Sequence, residues 1–238
     1  MKKGGRKLVI MDRVPTGIGG LDAIVEGGLP RNRIYTVSGT AGSGKTILCS
    51  QYLYNGAHKF SEKGLYVSFE ETSEDILENL GRFDWDLDFL VKDKSLEFLY
   101  LPLNNEAFHD NMSSILGIII EAIKKNGYKR LVLDSLPALG LGYENDHSLR
   151  KDLYLLLAEL RKLECTTLLI TEKASGEIGL TRYGIEDFLS HGLIMMHLTH
   201  TYRGLEVRKC RGTSHSTDIN RMRISDSGIS VYSGDHPY

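Results

Sequence analysis

Lys45 and Thr46 close the stretch Gly39-Thr40-Ala41-Gly42-Ser43-Gly44-Lys45-Thr46, which fits G-x-x-x-x-G-K-[ST] at every position. Glycines let a backbone wrap closely around phosphate oxygens and turn successive N–H groups toward them. Lys45 adds a mobile cation for the β- and γ-phosphates, and Thr46 offers a hydroxyl to Mg2+. The chemistry expected of Thr40 to Thr46 is therefore capture of a nucleoside triphosphate with its metal. Further along the chain, Asp134 ends an apolar run, the place and type of a carboxylate that holds Mg2+ through its water shell. Ser135 stands beside it.

Glu70 and Glu71 end another apolar run. In-line attack on a γ-phosphate needs a carboxylate that orients water and takes its proton. Equally, both could be acids favoured by the dipole of a helix starting at Thr72. Adjacent residues of a strand point to opposite faces, so only one of the two should face a nucleotide. Lys209 and Arg211, two apart on a strand, should share a face with Leu205 and Val207 behind them. Paired cations suit a phosphate; on the residues alone, an edge strand made soluble by charge explains them better. His191, His197, His200 and His215 lack metal-ligand spacing, so no metal beyond Mg2+ is expected.

The elements needed to position these groups are legible. Ile34–Ser38 reads as a short buried strand before the loop, and Ile47–Phe60 as the helix after it. Gly64–Phe69 predicts a second strand, the one expected to neighbour the loop's strand. Thr72-x-x-Asp75 caps a helix to about Phe83. Residues 84–94 read as acidic and irregular, with Trp85 as a local plug. Then follow strand 95–101, helix 115–123, strand 130–134, helix 148–163 and strand 166–171. This alternation predicts an α/β fold with a mainly parallel sheet and helices on both faces. Residues 173–187 read as a long mobile loop. Short strands at 193–198, 205–210, 219–224 and 229–232, with turns at Tyr202-Arg203-Gly204 and Asp226-Ser227-Gly228, predict an antiparallel extension. Near the N-terminus a basic tail leads to a short strand. The glycine-dense Val14–Asp22 stretch that follows reads equally as a connector or as a nucleotide flank. No linker or repeat interrupts residues 1–238, and one domain is expected.

Composition narrows the class further. With 29 basic and 31 acidic residues the net charge is −2, which argues against a bulk affinity for nucleic acid or membrane. No apolar run approaches a membrane span, and the segment 8–11 is too short for a signal peptide's core. Cys49, Cys165 and Cys210, odd in number and far apart, predict buried thiols in a reducing, cytoplasmic setting.

Around the phosphate loop stand further stretches in a fixed order. They are Thr16-Gly17-Ile18 through Leu21-Asp22 with Gly27-Gly28-Leu29-Pro30, then Phe69-Glu70-Glu71-Thr72 and Leu133-Asp134-Ser135. Lys209-Cys210-Arg211-Gly212-Thr213-x-His215 completes the set. Together they resemble the KaiC branch of the RecA-like ATPases over nearly the whole chain. That resemblance implies a RecA-like core, ATP and Mg2+ as ligands, and a homo-oligomer, usually a hexameric ring with nucleotide between neighbours. It makes Glu70 the general base with Glu71 assisting. Lys209 and Arg211 become fingers reaching the γ-phosphate of the adjacent subunit, where Lys45 also acts on the bound nucleotide.

The chain departs from the family pattern in three places. The clock protein of that branch carries two such domains, against one stretch here. His191 stands where relatives often have Asp. The loop holding Ser175 and Thr181 has no adjacent Ser-Thr pair, so autophosphorylation is not expected. The expected function is a slow ATPase of an archaeal or bacterial cytoplasm, acting as a regulatory switch toward an unidentified protein partner. Two alternatives stand beside it. One is an ATP-dependent DNA-binding protein using Arg203, Arg208, Arg221 and Arg223, less favoured because of the overall charge. The other is a nucleotide-binding interaction module without turnover.

Overall fold

The computed structural model describes residues 11–103, 112–140, 143, 145–173, 189–232 and 234. The basic tail and the loop with Ser175 and Thr181 lie outside the described residues. In chain order, β1 (Arg13–Val14) and β2 (Leu29–Pro30) pair antiparallel around the short helix α1 (Leu21–Ile24). β3 (Ile34–Gly39) then feeds the phosphate loop and α2 (Lys45–Phe60). Next come β4 (Gly64–Ser68), α3 (Ser73–Leu80), α4 (Leu87–Lys92), β5 (Leu96–Tyr100) and α5 (Met112–Asn126). β6 (Arg130–Asp134), α6 (Leu136–Leu139), α7 (Asp146–Leu160) and β7 (Thr166–Glu172) follow. The chain finishes with β8 (Gly192–Leu198), β9 (Arg203–Cys210), β10 (Asn220–Ser225) and β11 (Gly228–Tyr232).

Nine strands form one sheet in the order β11-β10-β9-β8-β3-β7-β6-β4-β5. From β8 to β5 every pairing is parallel; β9, β10 and β11 add antiparallel. The reason is in the residues. β3, β4 and the first four residues of β6 are buried at every position, as strands covered on both faces must be, whereas β10 alternates buried and exposed side chains. One apolar cluster packs α2, α3 and α4 on one face, and a second packs α5, α6 and α7 on the other. The expected α/β architecture with an antiparallel extension is the one observed.

Several details differ. β4 does not neighbour β3: β7 and β6 lie between them, so the carboxylates reach the phosphate loop across two strands. The stretch read as irregular contains α4, whose N-cap Asp86 accepts the Phe89 N–H at 3.3 Å. Trp85 does plug that corner, stacked between Tyr54 and Phe83 at 5.3 and 4.6 Å, with its N–H donated to the Ser227 carbonyl. The first hairpin turn falls at Thr199–Tyr202, where the Thr199 hydroxyl accepts the amides of Thr201 and Tyr202. β9 contains a bulge: Leu193 pairs Lys209 but Ile194 pairs Val207, leaving Arg208 extra. Cys210 therefore joins Leu205 and Val207 in the core, and Lys209 lies on the opposite face from them rather than in front of them. All three cysteines are free and buried, as expected.

Candidate active site

The phosphate loop is shaped by what surrounds it. A Cβ on Gly39 would lie 2.6 Å from the Met196 carbonyl oxygen and 2.7 Å from Ser43 Oγ, so only glycine fits between β3 and β8 there. Gly44 takes φ 102° as the N-cap of α2, a conformation that side chains resist. Thr40, Ala41 and Gly42 are exposed, while Ser43 is buried and its hydroxyl has no hydrogen-bond partner. A buried polar atom left unsatisfied costs about 1–3 kcal/mol. Lys45 folds back on its own loop, its ammonium donating to the carbonyls of Gly39 (2.9 Å) and Thr40 (3.0 Å). Burial lowers the Lys45 pKa from the usual lysine value, opposed by the charges of Glu172, Asp134 and Glu70.

Thr46 donates its hydroxyl proton to Asp134 Oδ2 at 3.2 Å. A hydroxyl that gives its proton to a carboxylate keeps its lone pairs for a cation, so the pair Thr46–Asp134 fits Mg2+. This metal takes one or two carboxylates, phosphate oxygens and retained waters rather than a full protein cage. Among the described residues no group of three His, Cys, Asp or Glu side chains gathers to hold a metal. Burial pushes the Asp134 carboxyl up to about 6, while hydrogen bonds from Tyr66 and Thr46 hold it down and the charges of Glu70 and Glu71 push it further up.

Glu70 and Glu71 sit in the bend after β4, before the helix rather than in its first turn; the first-turn acids of α3 are Glu74 and Asp75, and the Thr72 side chain caps it. Glu70 Oε2 accepts the Ser135 hydroxyl at 2.7 Å, which ties Glu70 to the residue after Asp134. Both carboxylates are exposed, and the Ser68 hydroxyl accepts the two backbone amides. Thus the loop, Thr46, Asp134 and Glu70 converge at the carboxyl edge of the sheet.

Lys209 and Arg211 do not join them. β9 runs antiparallel to β8, so Cys210 pairs Gly192, which in turn pairs Tyr35 near the start of β3. The cations therefore lie at the sheet's opposite edge, about 16 Å along β3 from the loop. Lys209 donates to the Ser190 carbonyl at 2.8 Å, and the Arg211 carbonyl accepts Arg33 at 2.7 Å. His191 sits among them with its Nδ1 accepting the Ile34 N–H at 3.2 Å. Its pKa falls to about 4 because burial disfavours the charged form, and Arg161, Arg33 and Arg211 repel it further.

Within Val14–Asp22 the backbone turn is locked by one side chain. The Asp22 carboxylate accepts the amides of Thr16 and Gly17 and the Thr16 hydroxyl, at 2.7, 2.9 and 2.7 Å. The sequence reading missed two residues at the site. Tyr66 donates its hydroxyl to Asp134 Oδ2, and Glu172, at the end of β7, is the main charge opposing the drop in the Lys45 pKa. It also left unremarked a cavity of about 270 Å3 beside the loop, lined by Leu198, Tyr202, Arg203, Arg221, Arg223 and Ile224 among others. Arg203 lies 3.5 Å from the Gly42 carbonyl, and Ile224 borders Gly44. Three of the four arginines assigned to the DNA alternative thus surround this cavity; the fourth, Arg208, pairs with Glu206 at 2.8 Å.

A parallel sheet whose first phosphate-binding turn faces a strand-end aspartate two strands away defines a nucleotide-binding protein of the P-loop class. The sequence profile described as "ATPase: KaiC" matches residues 14–236, and the chain belongs to the KaiC family of ATPases. It is 36% identical over 228 residues to the circadian clock oscillator protein KaiC of Synechococcus elongatus, covering 92% of this chain and 44% of that protein. Against KaiC of Prochlorococcus marinus it is 34% identical over 230 residues, 93% of this chain and 45% of the other. The chain thus spans about half the length of the curated relatives it matches. A crystal structure of a KaiC-like protein from the hyperthermophilic archaeon Pyrococcus horikoshii superposes with a TM-score of 0.84 at 33% identity, covering 93% of this chain and 99% of that one. The fold is the RecA-like P-loop core with extra strands. Among the described residues, no helix is long and apolar enough to cross a membrane.

Proposed function

We propose that residues 1–238 form one ATPase domain of the cytoplasm that binds Mg-ATP at the interfaces of a homo-oligomer, a hexameric ring, and hydrolyses it slowly as a regulatory switch. Thr40 to Thr46 hold the phosphates, and Thr46 with Asp134 holds Mg2+, which supplies charge stabilisation on the phosphate oxygens. The cavity beside Gly42 and Gly44 takes the nucleoside end. Glu70, steadied by Ser135, orients the attacking water and accepts its proton as the water oxygen bonds to the γ-phosphorus and ADP leaves; Glu71 assists. Lys45 balances charge from within the subunit, and Lys209 and Arg211 balance it from the neighbour.

The observation that carries this reading is the separation of Lys209 and Arg211 from their own loop while the acids converge on it. Two cations that cannot serve their own subunit's phosphates are suited to serve another's. Steady-state ATPase activity measured against protein concentration tests it, with Lys209→Ala/Arg211→Ala alongside. Specific activity should rise with concentration, and the double variant should lose activity on the order of 10³-fold while still binding ATP. Activity flat in concentration and unchanged in the variant would reduce the pair to a charged edge of the sheet. Nucleotide binding with no turnover at any concentration would favour an interaction module instead.

A further inference from the structure

Asp134 Oδ2 receives two hydroxyl donors from different elements, Thr46 at the start of α2 and Tyr66 in the middle of β4. Among the described residues no hydrogen bond reaches Oδ1. Tyr66 is fully buried, and its ring stacks on Phe98 with centroids 5.4 Å apart, so its phenol is fixed in place by packing on β4 and β5. β4 is the direct neighbour of β6, with Tyr66 paired to Val132 and Ser68 to Asp134. The phenol thus reaches along the adjacent strand to the carboxylate, where it also meets the Thr46 hydroxyl.

From this geometry we infer that Tyr66 is a positioning residue for the metal: its hydroxyl clamps one oxygen of Asp134 and thereby presents the other toward the Mg2+ of bound nucleotide. The inference rests on the reading of Asp134 given under the proposed function. Thr46 alone cannot fix the carboxylate, because its oxygen must also face the cation. Tyr66 is held by the sheet and meets the Thr46 hydroxyl as well as Asp134, so one phenol anchors both groups that would hold the metal. Partners that orient a metal-binding group typically contribute about 10–100-fold to metal affinity. A structural alternative exists, in that a buried phenol needs an acceptor whatever that acceptor does; the two differ in what removing the hydroxyl changes.

The test measures the dissociation constant of the non-hydrolysable β,γ-imido analogue of ATP with excess Mg2+ and with EDTA, in the full chain. The ratio of the two constants reports the metal's contribution. Tyr66→Phe, which keeps the ring and its stacking, should lower that ratio by about tenfold or more and leave the EDTA value unchanged. Tyr66→Met serves in the same way if the phenylalanine variant does not fold. Tyr128→Phe, which deletes a tyrosyl hydroxyl bonded to Glu97 away from the site, should leave both values alone. Asp134→Asn should abolish the Mg2+ contribution. If Asp134→Asn does so and Tyr66→Phe leaves the ratio within about twofold, the positioning role is overturned and the role of Asp134 stands. Should neither variant move the ratio, the assignment of Asp134 falls and takes this inference with it. Equal weakening with and without Mg2+ in Tyr66→Phe would show general damage to the site and would also overturn it.

Discussion

Asp134 holds its charge against its surroundings. Burial lifts its carboxyl to about 6 even with two hydroxyls donating to it. Between about pH 4 and pH 6 the folded, metal-free chain therefore holds a proton that the unfolded chain releases. Its stability falls as pH rises through that window and stays lower above it. Asp134→Asn should accordingly raise the melting temperature of the metal-free protein at about pH 7.5 by a few degrees, on the order of 1–3 kcal/mol, with no gain at about pH 4. Thermal melts at the two pH values check this; equal gains at both would mean that burial of the charge is not what costs stability. Residues of this kind were legible to different degrees. Lys45 and Thr46 declare themselves because their chemistry is set by immediate neighbours. Tyr66 does not, because its partner lies 68 residues away and only the strand order brings them together.

On the scale of elements, α2 does more than present the loop. Its outer half packs on Arg130, which is fully buried at the start of β6 and bonded to the carbonyls of Tyr52 and Pro15 and to Glu62, each at 2.8–2.9 Å. Gly56 is the notch that admits it: a Cβ there would stand 2.4 Å from Arg130 Cδ. Helix propensity alone makes Gly56→Ala stabilising by about 1 kcal/mol. Against this, overpacking costs about 1–3 kcal/mol, and disturbing a buried ion pair costs about 3–5 kcal/mol if one partner is lost. The clash wins, and Gly56→Ala should lower the urea midpoint, with a net loss of about 2–4 kcal/mol. A midpoint at or above that of the unmodified chain would mean that Arg130 can leave its site.

The same scale explains the misread elements. Long buried strands and the helices of 15 or 16 residues stood out by period. The six-residue α4 and four-residue α6 are too short to show one. The bulge at Arg208 is a single extra residue, yet it inverts which side of β9 faces the core from there on.

For the molecule as a whole, the order of the strands matters more than their identity. Chain alternation predicts a parallel sheet but leaves neighbours open, which is why β4 was expected beside β3 when β7 and β6 stand between. What the reversed direction of β9 places at opposite edges, the loop at one and Lys209 with Arg211 at the other, has a consequence for how copies can combine. Contacts that join one edge to the other edge of the next copy are head-to-tail: every junction uses two different surfaces, and only a closed circuit leaves none of them open. Complementation follows. Subunits crippled at Lys45 and subunits crippled at Lys209 and Arg211 should each be inactive alone. Mixed in equal amounts and allowed to exchange, they should recover about a quarter of the unmodified activity, since a junction works when an intact loop happens to meet intact cations. A mixture as silent as its parts would mean that each copy completes its own site.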